Sequence, residues 1–201
     1  MPLAIVRSAD DALQRLIDGN ERFRCGTVRS PTTQKAVLTR LAHEQEPYAM
    51  ILGCSDSRVP PELIFDAGLG ELFVVRVAGN VYSPEVSGSL QYAGSHLNTC
   101  LFVVLGHAEC GAVKATLETK LHAARQRSRI QILVDDIMPG LSDLDPQTPP
   151  SLQLERAVEA NVRWTMRQIL DSTEGKAALA EGRKRLVGGI YDIGSGHVRF
   201  L

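Results

Sequence analysis

The chain has 201 residues, 44% of them apolar and 22% charged, which suits one globular domain with a well-buried core. A formal net charge of -1 argues against a nucleic-acid partner or a membrane surface, since both select an excess of Lys and Arg. No run approaches the ~18 apolar residues that span a bilayer. The opening MPLAIVRSADDALQRLIDGN has no basic segment followed by an apolar one, so no signal peptide is expected and the default location is cytoplasmic.

Residues 1–45 read as an N-terminal helical arm. Ser8 can cap a first helix, with Asp10 and Asp11 in its first turn, and Ala12, Leu13, Leu16, Ile17 and Phe23 give it an apolar stripe. Pro31 opens a second helix, which runs through Val37, Leu38 and Leu41 and stops before Pro47. Residues 46–201 read as an α/β core that completes a single domain. Three apolar runs, Tyr48–Leu52, Leu72–Val77 and Leu101–Leu105, suit strands buried on both faces, and helical stretches lie between them around Glu85–Leu97 and Ala112–Arg125. Strand alternating with helix implies parallel strands with right-handed crossovers. After a loop at Leu141–Pro150, helices are expected at Leu152–Leu170 and Lys176–Ala180. Two strands follow, Leu186–Asp192 and His197–Leu201, joined by a turn at Ser195-Gly196, the second at a sheet edge. The expected fold is an α/β, mostly parallel central sheet of four parallel strands plus one antiparallel edge strand, flanked by helices.

Two short motifs carry chemistry. Cys54-Ser55-Asp56-Ser57-Arg58 follows the first apolar run, and Gly106-His107-Ala108-Glu109-Cys110-Gly111 follows the third. In an open parallel sheet the crevice beyond the carboxyl ends of the strands is where ligands bind, so both motifs face one crevice. Cys54, His107 and Cys110 offer two thiolates and an imidazole, donors that zinc accepts in tetrahedral geometry. Three protein ligands leave the fourth position open, as in catalytic zinc sites. Asp56 can close the site as a fourth ligand, or it can pair with Arg58, which would keep it ionised. The other two cysteines, Cys25 in the helical arm and Cys100 just before the third strand, read as structural. His43, His96, His122 and His197 have no motif context and read as surface residues.

At these residues the sequence resembles the β-class carbonic anhydrases. The span from Gln45 to Val113 carries both of the family's motifs, CxDSR and HxxC. DGNERF (Asp18–Phe23) is similar to the family's N-terminal arm and LVGGIYDIGSGHVRFL to its closing hairpin. The resemblance implies reversible hydration of carbon dioxide to bicarbonate and a proton, by attack of zinc-bound hydroxide. It implies one zinc per subunit on Cys54, His107 and Cys110, with Asp56 and Arg58 as the orienting dyad. Gln45 and Gly111 would bind substrate. It also implies a homodimer or dimer of dimers, built through N-terminal helices and extended sheets, in which part of each pocket comes from the other subunit.

Some positions depart from the family. Ala108 stands where Ser or Thr is common, and Gln91 where Glu is common. A subclass switched by bicarbonate has Trp where Ile51 stands, so the resemblance implies no such switch and an Asp56 that prefers Arg58 to the metal. Two other readings share these residues. A hydrolase for COS or CS2 on the same scaffold has the same ligands and dyad, and a non-enzymatic domain would use the zinc structurally or the thiols as redox sensors.

Overall fold

In the computed structural model, which describes residues 8–29, 35–97, 99–145, 147–182 and 184–201, the chain forms one five-stranded sheet with helices on both faces. The first helix, α1 (Ala9–Arg24), begins where a side chain can replace the missing backbone partner: Ser8 Oγ accepts from Asp11 N at 3.0 Å. Asp10 and Asp11 sit at the positive end of the helix dipole, and Arg22 and Arg24 at the negative end. α1 docks on the sheet of its own chain. Its buried Asn20 donates through Nδ2 to the carbonyls of Ile64 and Gly196 and accepts at Oδ1 from Val198 N. The second helix, α2, spans Lys35–Leu41; Pro31, expected to open it, lies outside the described residues.

The strands are β1 (Ala49–Gly53), β2 (Leu72–Arg76), β3 (Leu101–His107), β4 (Arg185–Tyr191) and β5 (Val198–Phe200), in the order β2-β1-β3-β4-β5. The first four are parallel and β5 pairs antiparallel with β4 at the edge, so the expected sheet is the observed one. Every residue of β1 is buried because its two faces meet different helical layers. Ala49 and Ile51 face α1 and the short helix α3 (Pro61–Ile64); Met50 and Leu52 face α4 (Pro84–His96) and α7 (Pro150–Asp171). Truncating such a residue, as in Ile51→Ala, costs about 2–5 kcal/mol. The remaining helices are α5 (Gly111–His122), α6 (Ser128–Ile137) and α8 (Thr173–Ala180). No described helix is long and apolar enough to cross a membrane.

Three expectations change. β2 was expected to be buried on both faces, yet it is an outer strand with Leu72 to Val75 only half-buried, because nothing among the described residues pairs with its far side. Helix α6 was not anticipated, since its Ile130 and Ile132 are exposed and blur the apolar period. Cys25, read as structural, is an exposed thiol that donates to Glu21, and Cys100 is half-buried. Neither lies near the candidate site.

The site is placed by the pairing of β1 with β3. Gly53 lies beside Leu105, so the residues that follow both strands emerge side by side at one end of the sheet.

Candidate metal centre

Cys54 leaves β1 at its carboxyl end and is 5% exposed. His107 is the last residue of β3 and fully buried, and Cys110 is 1% exposed. The chain turns sharply between His107 and Cys110. Ala108 N donates to Tyr191 O at 2.8 Å, which ties the turn to β4, and Glu109 takes the left-handed conformation at φ 56°. That reversal returns the backbone so that Cys110 caps the start of α5. The Sγ atoms of Cys54 and Cys110 and a ring nitrogen of His107 then lie within 4.8 Å of one another. Among the described residues this is the one group of three such side chains able to hold a metal ion, and no carboxylate belongs to it. An apolar wall of Val81, Val113, Ile137 and Leu141 surrounds the two sulfurs.

The donor set fits a divalent ion. His107 Nδ1 donates to Ala108 O at 2.8 Å, which leaves Nε2 as a lone-pair acceptor, and Nε2 is buried with no hydrogen-bond partner. Such an orphaned atom costs about 1–3 kcal/mol unless something binds it. The sulfurs are poised in the same sense. The Cys110 thiol donating to it holds Cys54 well below the usual thiol range, against the opposing effect of burial and with help from the backbone of Asp56 and Gly79. Cys110 is pushed far up by the Cys54 sulfur beside it and by burial. These opposed shifts favour one thiolate beside one thiol in the metal-free pair. Two sulfurs and an imidazole are the donors zinc prefers among biological divalent ions, and three of them leave a corner for solvent.

The loop after Cys54 presents a carboxylate. Arg58 donates from Nε and its backbone N–H to Asp56 Oδ1 at 2.9 and 3.0 Å, and from Nη2 to Oδ2 at 2.8 Å. This guanidinium holds the Asp56 carboxyl well below the usual carboxylate range, so it is ionised at neutral pH. Arg76, at the end of β2, fastens the same loop from the other side: Nε donates to Cys54 O at 2.9 Å and Nη2 to Asp56 O at 2.6 Å. Sequence patterns give no pointer to this role, because the acceptors of Arg76 are backbone atoms of a neighbouring strand's loop.

The 3₁₀ turn Ala78–Asn80 closes another side of the site. Gly79 N donates to Cys54 Sγ at 3.3 Å. Glycine is required there: φ is +69°, and a Cβ would stand 2.7 Å from Ile137 Cδ1 and 3.1 Å from Ala112 Cβ. Of the other expected residues, Gly111 directly follows Cys110 with open space where a side chain would stand. Gln45 is not brought to this end of the sheet. It is exposed and precedes β1, whereas Cys54 follows β1, and the five strand residues between them alone span about 17 Å.

The sequence profile of the family described as carbonic anhydrase matches residues 49–198. A carbonic anhydrase of Mycolicibacterium smegmatis is 36% identical over 188 residues, covering 93% of this chain and 90% of that protein. Carbonic anhydrase 2 of Mycobacterium tuberculosis is 43% identical over 130 residues, covering 65% of this chain and 63% of its own length. Among solved structures, the β-carbonic anhydrase of Coccomyxa, in complex with acetazolamide, superposes with a TM-score of 0.75 at 26% identity, covering 94% of this chain and 86% of that one. A tetrameric β-carbonic anhydrase of Sordaria macrospora gives 0.74 at 26% identity over 82% of this chain and 85% of its own. Likeness along nearly the whole length, in sequence and in fold, agrees with what the strand-end thiols and imidazole suggest by themselves, and the chain belongs to the β-class carbonic anhydrases, a family of enzymes.

Proposed function

We propose that the chain catalyses the reversible hydration of carbon dioxide to bicarbonate and a proton, using one zinc ion held by Cys54, His107 and Cys110. The observation that carries this reading is the buried, unpartnered Nε2 of His107 beside the two buried sulfurs of Cys54 and Cys110, all within 4.8 Å of one another. Zinc, when bound, supplies the Lewis acidity that brings the pKa of water down to about 7, with two thiolates moderating the shift.

The chain's own residues supply the rest. Asp56 is ionised, so it can accept a proton or hydrogen bond but cannot donate one. An attacking water whose O–H points to Asp56 turns an oxygen lone pair toward the carbon of CO2. Arg58 fixes the angle of that acceptor and keeps it charged. The apolar wall of Val81, Val113, Ile137 and Leu141 suits a substrate with no net dipole and limits stray water. Gly111 leaves room beside Cys110 for the bicarbonate product.

The same reading includes assembly as a homodimer or dimer of dimers. Two observations support it. The outer edge of β2 carries half-buried Phe73, Val74 and Val75 and is open to pairing. Gln45 belongs to the substrate pocket on the family pattern, yet stands at the wrong end of β1 to serve its own chain, and a second subunit can bring it there. The function is tested by measuring metal content and CO2 hydration across pH on one preparation, with COS and CS2 as competing substrates. Stoichiometric zinc with pH-dependent CO2 hydration is expected. Zinc-loaded protein that turns over COS but not CO2 overturns the substrate assignment.

A further inference from the structure

Helix α7 buries a stripe of Ala157, Val158, Asn161, Val162, Thr165 and Ile169. Two of these are polar and lie four residues apart, on one face of the helix. Each is 1% exposed, and each donates inside the protein, while Asn161 Oδ1 is buried without a partner. Asn161 Nδ2 donates to Gly79 O at 2.8 Å, and Thr165 Oγ1 donates to Asn80 O at 3.2 Å. Both acceptors are backbone carbonyls of the Ala78–Asn80 turn, the turn whose Gly79 N–H faces Cys54 Sγ.

That turn closes on its own bond from Asn80 N to Val77 O at 3.0 Å, but in a strained backbone conformation. Gly79 and Asn80 have φ of +69° and +45°, and a non-glycine residue in the left-handed region costs about 1–2 kcal/mol. The Asn80 amide donates to nothing, since its Nδ2 is buried without a partner. With two successive carbonyls pinned from α7, the turn cannot swing about Gly79 without breaking one of those bonds. The sulfur of Cys54 is thereby given a donor at a fixed direction, although α7 contributes none of the candidate metal ligands.

We propose that Asn161 and Thr165 are positioning residues for the metal centre, acting through the Gly79–Asn80 turn to set the direction and charge donation of the Cys54 sulfur. This rests on Cys54 being a metal ligand, as proposed above. A donor to a ligating thiolate draws charge from the sulfur, so its loss moves the thiolate-to-metal charge-transfer band to lower energy. Groups that orient ligands from behind typically change metal affinity by about 10–100-fold when removed.

The test uses the full chain as wild type, Asn161→Leu, Thr165→Val and Thr116→Val, each loaded with Co2+ for spectroscopy and titrated with Zn2+ against a chromophoric chelator. Thr116→Val is the control: it also removes a buried hydroxyl, but Thr116 bonds to Ala112 O within its own helix. Asn161→Leu is expected to bind zinc about tenfold more weakly or worse and to shift the cobalt band to lower energy. Thr165→Val should do the same to a smaller, measurable degree, and Thr116→Val should match wild type. If Asn161→Leu does not fold, Thr165→Val decides by the same two readouts. A wild type with a normal band, and clamp variants that match it in band and affinity, overturns the clamp alone. A wild type with no thiolate-to-cobalt band overturns the metal assignment and the clamp together.

Discussion

Arg58 holds Asp56 from two directions at once, with its guanidinium gripping both carboxylate oxygens and its backbone N–H adding a third bond to Oδ1. The pair does not build the metal site, whose three donors are elsewhere. Asp56→Asn is therefore expected to keep zinc and lose CO2 hydration by about 100-fold or more, because an amide cannot fix the attacking O–H in one sense. Arg58→Ala should fall in the same direction by freeing the carboxylate. Arg58 is 52% exposed, so its loss should cost little stability. Stopped-flow hydration assays beside elemental analysis check both; loss of zinc along with activity would refute the separation of roles.

The ligands themselves should behave otherwise. Cys54→Ser and His107→Ala are expected to lose metal and activity together. The shared proton gives a further expectation with a definite sign. Binding a divalent ion needs both sulfurs as thiolates, so it must expel the proton that Cys54 and Cys110 hold between them. Apparent metal affinity should then rise with pH, by about tenfold per unit where a single proton is released. Calorimetry in buffers of different ionisation enthalpy should count that proton. Affinity independent of pH between 6 and 8 would count against the protonation state described here.

Gln45 lends itself to complementation between subunits. If it serves the partner's pocket, Gln45→Ala and Cys54→Ser chains are each poorly active alone. Mixed dimers contain one site with its own Cys54 and a Gln45 from the other chain. Unfolding and refolding the two variants together should restore activity well above either parent, toward a quarter of wild type when mixing is random, since half the dimers are mixed and each has one good site. No gain on co-refolding would place Gln45 outside the partner's pocket.

Acid stability should be traceable in part to Glu159 on α7. Arg199 of β5 and Arg163 one turn along the helix hold its carboxylate below the usual range. A depressed folded pKa gives stability that is complete above the unfolded value of about 4.3 and is lost as pH falls through the lower folded value. Glu159→Gln should lower the melting temperature at pH 7 by up to about 2–4 °C, for a partly exposed pair worth about 1 kcal/mol at most. The gap from wild type should close in acid. A gap that persists at pH 2 would assign the effect to packing.

Much of this architecture was legible because it is written in local patterns. The runs at β1 and β3 are continuous and apolar, since those strands are covered on both faces, and the cysteine and histidine motifs fall directly at their ends. The Ser8 cap and its acidic first turn were equally plain. What escaped was non-local. β2 has the same apolar texture as β1, and only the strand order reveals that one of its edges is open. Asn161 and Thr165 look like ordinary polar residues in a long helix. The signal was their position within an apolar stripe, but their acceptors lie 82 and 85 positions away in sequence. Pairings of that range are set by packing and leave no period to read.

The single bond from His107 Nδ1 to the carbonyl of the next residue has a consequence for how hydrogen ions leave the enzyme. A ring fully enclosed, with one nitrogen committed to the main chain and the other turned inward, cannot rotate to ferry them outward. The exposed guanidinium of Arg58 marks where the Asp56 loop meets solvent. Traffic there depends on what carriers the medium supplies, so the maximal rate should climb with buffer concentration until the chemical step takes over.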